Sequence, residues 1–299
     1  MTWITGMQKA IDYIEENLTE EIDYEKVAEK SYSSSYHFQR VFGILCGYTL
    51  GEYIRLRRLS LAGAELASGK EKVIDIALKY GYDSPDSFAK AFQKFHGITP
   101  SQARADGSKL KSFSRLSIKI LLEGGSTMNY RIEEKDEMIL TGYKRHFSGI
   151  PGERMEQEKE MYLKTRPLQY ILKYLSGDLE NDFNIITNID ENGYDFYIAS
   201  RLKKYFRENL DKEGILGEEF ARYYENITIP KCTYAVFETE RCTWPTLTFL
   251  DLRRKIASEW LPGSGYQLKN APELVVTHWY EGKMRDQRYR ELWLPIEKK

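Results

Sequence analysis

Apolar positions follow two rhythms along this chain, a helical one in the first third and a strand-like one in the rest. Phe38, Val41, Phe42 and Leu45 recur at i, i+3, i+4 and i+7, one stripe of a helix turned toward a core. Phe88, Ala91, Phe92 and Phe95 repeat those offsets further along. Ser34 and Ser84 stand where a hydroxyl accepts an orphan backbone N–H, and Pro85 suits the first helical turn. Gly47 and Gly97 supply stops, with Thr49 and Thr99 placed to cap further helices. A shorter helix is expected before each copy, over DYEKVAEK and KVIDIALKY, joined through SYSS and GYDS. Between the copies, Tyr53, Ile54, Leu56, Leu59, Leu61, Ala64, Leu66 and Ala67 predict one continuous helix ending at SGK.

Past Arg104 the pattern changes. Glycines and serines mark a joint near residue 107, and LSIKILLEGG reads as the first strand of a new domain. MILTGYKRHF and CTYAVFETER are strand candidates, each followed by a helix candidate, GERMEQEKEMYLKTRPLQYILKYL and TWPTLTFLDLRRKIASEWLP. Strand pairs close each half: FNIITNID with YDFYIASRL, then PELVVTHWYEG with RYRELWLPIEK. The expected fold is therefore multidomain: an all-α N-terminal domain with two helix-turn-helix motifs joined by a long helix, plus an α+β C-terminal domain. The latter is a duplicated strand-helix-strand-strand unit, with helices on one side of an antiparallel sheet and the other side open. Expected boundaries are 1–106 for the double helix-turn-helix domain, 107–127 for linker and first strand, and 128–299 for the α+β domain.

Two short helices joined by a turn can place the second in a DNA major groove. The face opposite the apolar stripe presents Ser35, Tyr36, Gln39 and Arg40 on the first such helix, and Asp86, Ser87, Ala89 and Lys90 on the second. Lys94 and, on the spacer, Arg55 add basic charge. Gln and Arg suit adenine and guanine edges, whereas Ser and Lys suit phosphate oxygens. The alternative is that any helical hairpin shows polar residues to solvent, and two copies with matching caps, cores and stops weigh against it. The spacer, with Arg55, Arg57 and Arg58, would set two reading heads in adjacent major grooves about 34 Å apart.

Charge agrees without deciding the matter. The overall net charge of −1 hides eleven bases against seven acids over residues 30–106, after eight acids against two lysines over residues 1–29. The acidic stretch from Glu15 to Glu29 reads as a solvated face, with an RNA polymerase contact as the alternative. Cys46, Cys232 and Cys242 are odd in number and far apart, so no disulfide framework is implied. His37, His96, His146 and His278 lack metal-ligand spacing, and no metal, cofactor or catalytic residue is assigned. With no long apolar run and no signal-peptide pattern at the start, a cytoplasmic protein without a membrane partner is expected.

Strand parity marks a second site. In RELWLPI the aliphatics Leu292, Leu294 and Ile296 alternate with Glu291 and Trp293, and in YDFYIAS Asp195 and Tyr197 alternate with Phe196 and Ile198. An open sheet face carrying aromatics and a carboxylate suits a flat, lipophilic, often cationic molecule. Idle edge residues are the alternative.

Residues 7–104 resemble the DNA-binding domain of AraC/XylS-type transcription regulators, through VAEKSYSSSYHFQRVFGILCGYTLGEYIRLRRL and especially IALKYGYDSPDSFAKAFQKFHGITPSQAR. The resemblance implies base-facing positions at Tyr36, Gln39 and Arg40 and at Asp86, Ser87 and Lys90. Pro85-Asp86 replace the paired glutamines of close relatives, so the target sequence of that half-site does not carry over. Residues from about 110 to 297 resemble the GyrI-like (Rob-type) effector-binding domain, through GSTMNYRIEEKDEMILTGYK, EWLPGSGYQL, APELVVTHWYEG and ELWLPI. That resemblance implies a drug-like ligand held by aromatics and a buried glutamate. The glutamate carries over to Glu291, with Trp293, Tyr197 and Tyr234 as the aromatic wall, Asp195 and Trp244 as further candidates, and Glu238 and Glu273 as rival acids. The function implied is a DNA-binding transcription regulator sensing a small molecule, with a GyrI-like hydrolase or drug-sequestering protein as the alternative.

Overall fold

The computed structural model describes residues 3–69, 71–105, 107–118, 127–151, 155–190, 192–210 and 215–299. The chain forms two compact units, Met1–Gln39 with Tyr48–Glu123, and Arg40–Gly47 with Gly124–Lys299.

Six helices come first: α1 (Trp3–Glu16), α2 (Tyr24–Lys30), α3 (Ser35–Cys46), α4 (Leu50–Ala67), α5 (Val73–Lys79) and α6 (Pro85–His96). Their ends follow local chemistry. The Ser34 hydroxyl accepts from the His37 N–H at 3.3 Å, and the Ser84 hydroxyl accepts from the Ser87 N–H at 3.2 Å. Thr49 opens α4 with a full capping box, its hydroxyl and the Glu52 carboxylate satisfying each other's backbone N–H groups. Gly97 ends α6 at φ +83°, a left-handed conformation that a Cβ would strain. The expected spacer is α4, one helix of 18 residues. Leu59, Ala62 and Leu66 of α4 share a buried core with Ile76, Ala77, Tyr80, Phe88, Phe92 and Ala103.

Two sequence expectations change here. Glu15 does not belong to a solvated acidic face: its side chain is 8% exposed and accepts from Arg57 Nη2 at 2.8 Å and from the Tyr53 hydroxyl at 2.6 Å. Burial alone would raise its pKa, yet the hydrogen bonds from Arg57 and Tyr53 outweigh that and lower it. Arg57 and Arg58 are likewise structural, Arg58 donating to the carbonyls of Leu18 and Glu20, while Arg55 is exposed. Glu15→Ala should cost about 2 kcal/mol in urea unfolding at neutral pH, because it strips a charged partner from a part-buried guanidinium. A loss near zero would make the pair ornamental.

Residues 109–118 run extended beside α1 and α4 rather than as a loose joint. Phe113 packs edge-on to Tyr48 and Tyr53, and the N–H groups of Phe113 and Leu116 donate to Ser60 and Tyr53. Of the strand expected over residues 116–125, residues 116–118 are not in a strand and the remainder lies outside the described residues.

The second unit is built on an antiparallel sheet with nine strands among the described residues: β1 (Tyr130–Lys135), β2 (Met138–Phe147), β3 (Asn181–Thr187), β4 (Tyr194–Ser200), β5 (Glu225–Ile229), β6 (Cys232–Glu238), β7 (Tyr266–Leu268), β8 (Glu273–His278) and β9 (Tyr289–Lys298). The order is β1-β6-β9-β8-β3-β4-β2-β5, with β7 beside the end of β9. The duplicated units appear as β2, β3, β4 and β6, β8, β9, joined through β3 and β8. Each half lends its preceding strand to the other: β1 leads into β2 but pairs with β6, and β5 leads into β6 but pairs with β2.

Helices α7 (Met155–Lys164), α8 (Arg166–Ser176) and α11 (Thr246–Lys255) complete the repeats, and α9 (Lys204–Leu210) and α10 (Ile215–Ala221) intervene between them. The single helix expected before residue 176 is broken in two where Pro167 occupies the first turn of α8. α7 and α11 cover one sheet face. Tyr162 packs on Phe196 and donates to Asn184, Phe249 lies under Arg290, and Trp260 meets Phe237 edge-on.

Candidate nucleic-acid interface and effector site

On α6 the sequence-predicted contacts Asp86, Ser87, Lys90 and Lys94 are all exposed, opposite the buried Phe88 and Phe92. Ser87 also serves the helix start, its hydroxyl donating to the Ser84 carbonyl at 2.8 Å. Gln93, three residues past Lys90 and also exposed, was missed; helical spacing from Lys90 was signal enough to find it. On α3, Ser35, Tyr36 and Gln39 are half-buried, and Gln39 Nε2 donates to the Ser35 hydroxyl at 3.2 Å.

Arg40 stands differently. It belongs to the second unit, is 3% exposed, and pairs with Glu273, which is 1% exposed. Glu273 also accepts from Arg253 Nη2 at 2.5 Å, and Arg253 is 4% exposed. Burial alone would raise the pKa of Glu273, but the charges of Arg253 and Arg40 lower it, so this carboxylate is an ionised bridge between two guanidinium groups. With that guanidinium inside the unit, Arg40 offers no base-reading surface in this arrangement.

The strand parity expected for the sheet is observed, with a different consequence. Register places Val236 beside Trp293, Trp293 beside Leu274, Leu274 beside Ile185 and Ile185 beside Tyr197, all on the face opposite α7 and α11. Tyr234 and Glu291 share that face. It is not the open, solvated surface expected from alternation. Tyr197, Tyr234 and Trp293 are 5%, 0% and 8% exposed, inside one cluster with Leu140, Ile185, Val236 and Leu274. Both sheet faces carry apolar side chains dense enough to bury, and alternation alone could not reveal the second.

Glu291 is 6% exposed. Its carboxylate accepts from Trp293 Nε1 at 2.7 Å and from Arg131 Nη2 at 2.7 Å, and His278 Nε2 stands 3.9 Å away. Burial opposes ionisation, but His278, Arg131 and Trp293 together hold the pKa at about 2. Register also resolves the rival acids. Glu238 lies directly opposite Glu291 on β6 and shares Arg131, whose Nη1 reaches it at 2.7 Å. Glu273 points to the helix-covered face instead. Asp195 is on the same face as Tyr197 but is engaged by Lys144, His146 and Asn188. Trp244 is apart from this group, 61% exposed and near Arg288. Arg131 and Lys135 were missed by sequence reasoning, because nothing local in YRIEEK says that it will lie beside β6, and His278 was weighed there only as a metal ligand.

The model of a helix-turn-helix domain matches residues 27–106. The transcriptional activator AarP of Providencia stuartii is 43% identical over 108 residues, covering 36% of this chain and 80% of that protein. The regulatory protein SoxS of Escherichia coli K12 is 38% identical over 98 residues, 33% of this chain and 92% of its own length. Among solved structures, SAV2435 bound to tetraphenylphosphonium aligns over 57% of this chain and 94% of its own, at 16% identity and a TM-score of 0.42. The helix order, caps and buried stripes of residues 24–104, together with these relatives, place the chain in the AraC/XylS family of helix-turn-helix DNA-binding transcription regulators.

Proposed function

We propose that this regulator responds to a small organic cation held on the sheet face opposite α7 and α11 in its second, GyrI-like unit. One observation carries the reading: an ionised, buried Glu291 carboxylate bonded to the Trp293 indole N–H, on a sheet face that also carries Tyr234 and Tyr197, so that charge and aromatic rings share one surface. DNA contact is assigned to the polar faces of α3 and α6, through Ser35, Tyr36 and Gln39 and through Asp86, Ser87, Lys90, Gln93 and Lys94, with Arg55 on the phosphates. Arg40 joins them in this reading only when its guanidinium is released from Glu273. The ligand regulates by favouring one of two states that differ in DNA affinity.

Titration of the full chain with tetraphenylphosphonium, followed by tryptophan fluorescence and by DNA affinity, tests the reading. Quenching together with a shift in DNA affinity supports it; binding that leaves DNA affinity unchanged reduces the unit to a sponge. For the DNA face, Lys90→Ala should lower the slope of log K against log salt by about 1 on any duplex. An unchanged slope removes Lys90 from the phosphate contacts. The hydrolase alternative asks Glu291 to take a proton from water, and a carboxylate with a pKa of about 2 is poorly matched to that task.

A further inference from the structure

The face that carries Glu291 and Trp293 already holds two cations of the chain's own, both delivered by β1. Arg131 spans Glu291 and Glu238 with its two terminal nitrogens, each at 2.7 Å. Lys135 places its ammonium 4.5 Å from the centre of the Trp293 ring. Glu133, midway between them on the same side of the strand, pairs with both. The charged acid and the aromatic ring are therefore both occupied, and the occupants show what this surface recognises: a cation at the carboxylate and a cation over the indole. Among the described residues β1 is also an edge strand, bonded to β6 alone. Arg131 is 37% exposed and Lys135 27%, so each can move its charge into water at small cost.

We propose that Arg131 and Lys135 are resident occupants of the effector site, and that an organic cation enters by exchange, its charge replacing Arg131 on Glu291 and its apolar flank replacing Lys135 on Trp293. This rests on the effector reading above. Exchange makes the two residues determinants of specificity. Charge is swapped for charge, so the net gain comes from the apolar surface that the ligand buries against the ring. Inorganic cations and polyamines then gain nothing over the resident pair, whereas lipophilic cations do.

The test uses the full chain with tetraphenylphosphonium and its neutral analogue triphenylphosphine oxide, measured by calorimetry and tryptophan fluorescence. Arg131→Met should tighten the cation by about 10-fold, since it frees Glu291, and should leave the neutral analogue unchanged. Lys135→Met should tighten both ligands by about 3-fold, because it bares the indole without exposing a buried carboxylate. The second variant keeps the proposal testable if the first does not fold. A purely structural role for Arg131 would not move the ratio of cation to neutral affinity, and a purely structural role for Lys135 would tighten neither ligand. Binding by wild type with equal or weaker binding in both variants overturns the exchange and leaves the effector reading standing. Binding by none of the three proteins ends both.

Discussion

Glu273→Ala lowers the stability of the second unit by about 3–5 kcal/mol, the largest effect expected of any single substitution in this protein. The carboxylate is 1% exposed and is the counter-ion to two arginines that are themselves 3% and 4% exposed. Arg253 Nε and Nη1 are buried without a hydrogen-bond partner among the described residues, so that side chain relies on Glu273. Removing the acid takes the shared counter-ion from two buried guanidinium groups. Glu273→Gln keeps the volume and one acceptor, and should cost less than the alanine while still exceeding about 1 kcal/mol. Urea unfolding followed by circular dichroism measures both. A loss below about 1 kcal/mol for the alanine variant would mean that the arginines find other partners.

The pH dependence follows from the same groups. The folded pKa values of Glu273 and Glu291 are lowered from 4.5, Glu291 to about 2. A carboxylate whose folded pKa is depressed binds fewer protons folded than unfolded, so it adds stability above its unfolded pKa. That contribution is complete at neutral pH and is lost as pH falls from about 4.5 toward 2. Acid unfolding of the second unit should therefore begin below about pH 4.5 and be blunted in Glu291→Gln.

Glu291→Gln should abolish cation binding in practice, weakening tetraphenylphosphonium by about 2–4 kcal/mol, or roughly 30- to 1,000-fold. The amide matches the carboxylate in size, keeps an acceptor for the Trp293 N–H, and removes only the charge. Because the Glu291 pKa is about 2, this carboxylate stays ionised between about pH 5 and 8 and adds no pH dependence of its own to wild-type affinity there. A variant that binds the cation as wild type does would move the charge-recognising group elsewhere on the sheet, with Glu238 first in line as its register neighbour.

What could be read ahead of the structure was local. Ser34, Thr49 and Ser84 cap helices because the hydroxyl and the N–H it serves are three residues apart at most, and Gly97 ends α6 because only its own backbone must turn left-handed. β2 runs over Met138–Phe147 as its alternation predicted, and Glu291, Trp293, Tyr197 and Tyr234 do share one face. β1 and β5 escaped notice because their sequences carry weak alternation, and their partners are strands of the opposite repeat. Whether Arg40 faces DNA or Glu273 was equally invisible: its place on the polar side of α3 is a local fact, and the acid that binds it lies 233 residues away.

The sequence by itself determined the six helices of the first hundred residues with their caps and stops, the face on which the residues of the expected strands lie, and the family to which those first hundred residues belong. These depend on periodicity and on hydrogen bonds that close within a turn. Only the tertiary structure decided which strands are neighbours, and with that the pairing of Arg131 with Glu291 across 160 residues, the burial of the aromatic face and the bridge at Glu273. Hydrophobic period states that a face will be buried without naming what it will meet, and a buried charge takes whichever opposite charge the completed fold brings within reach.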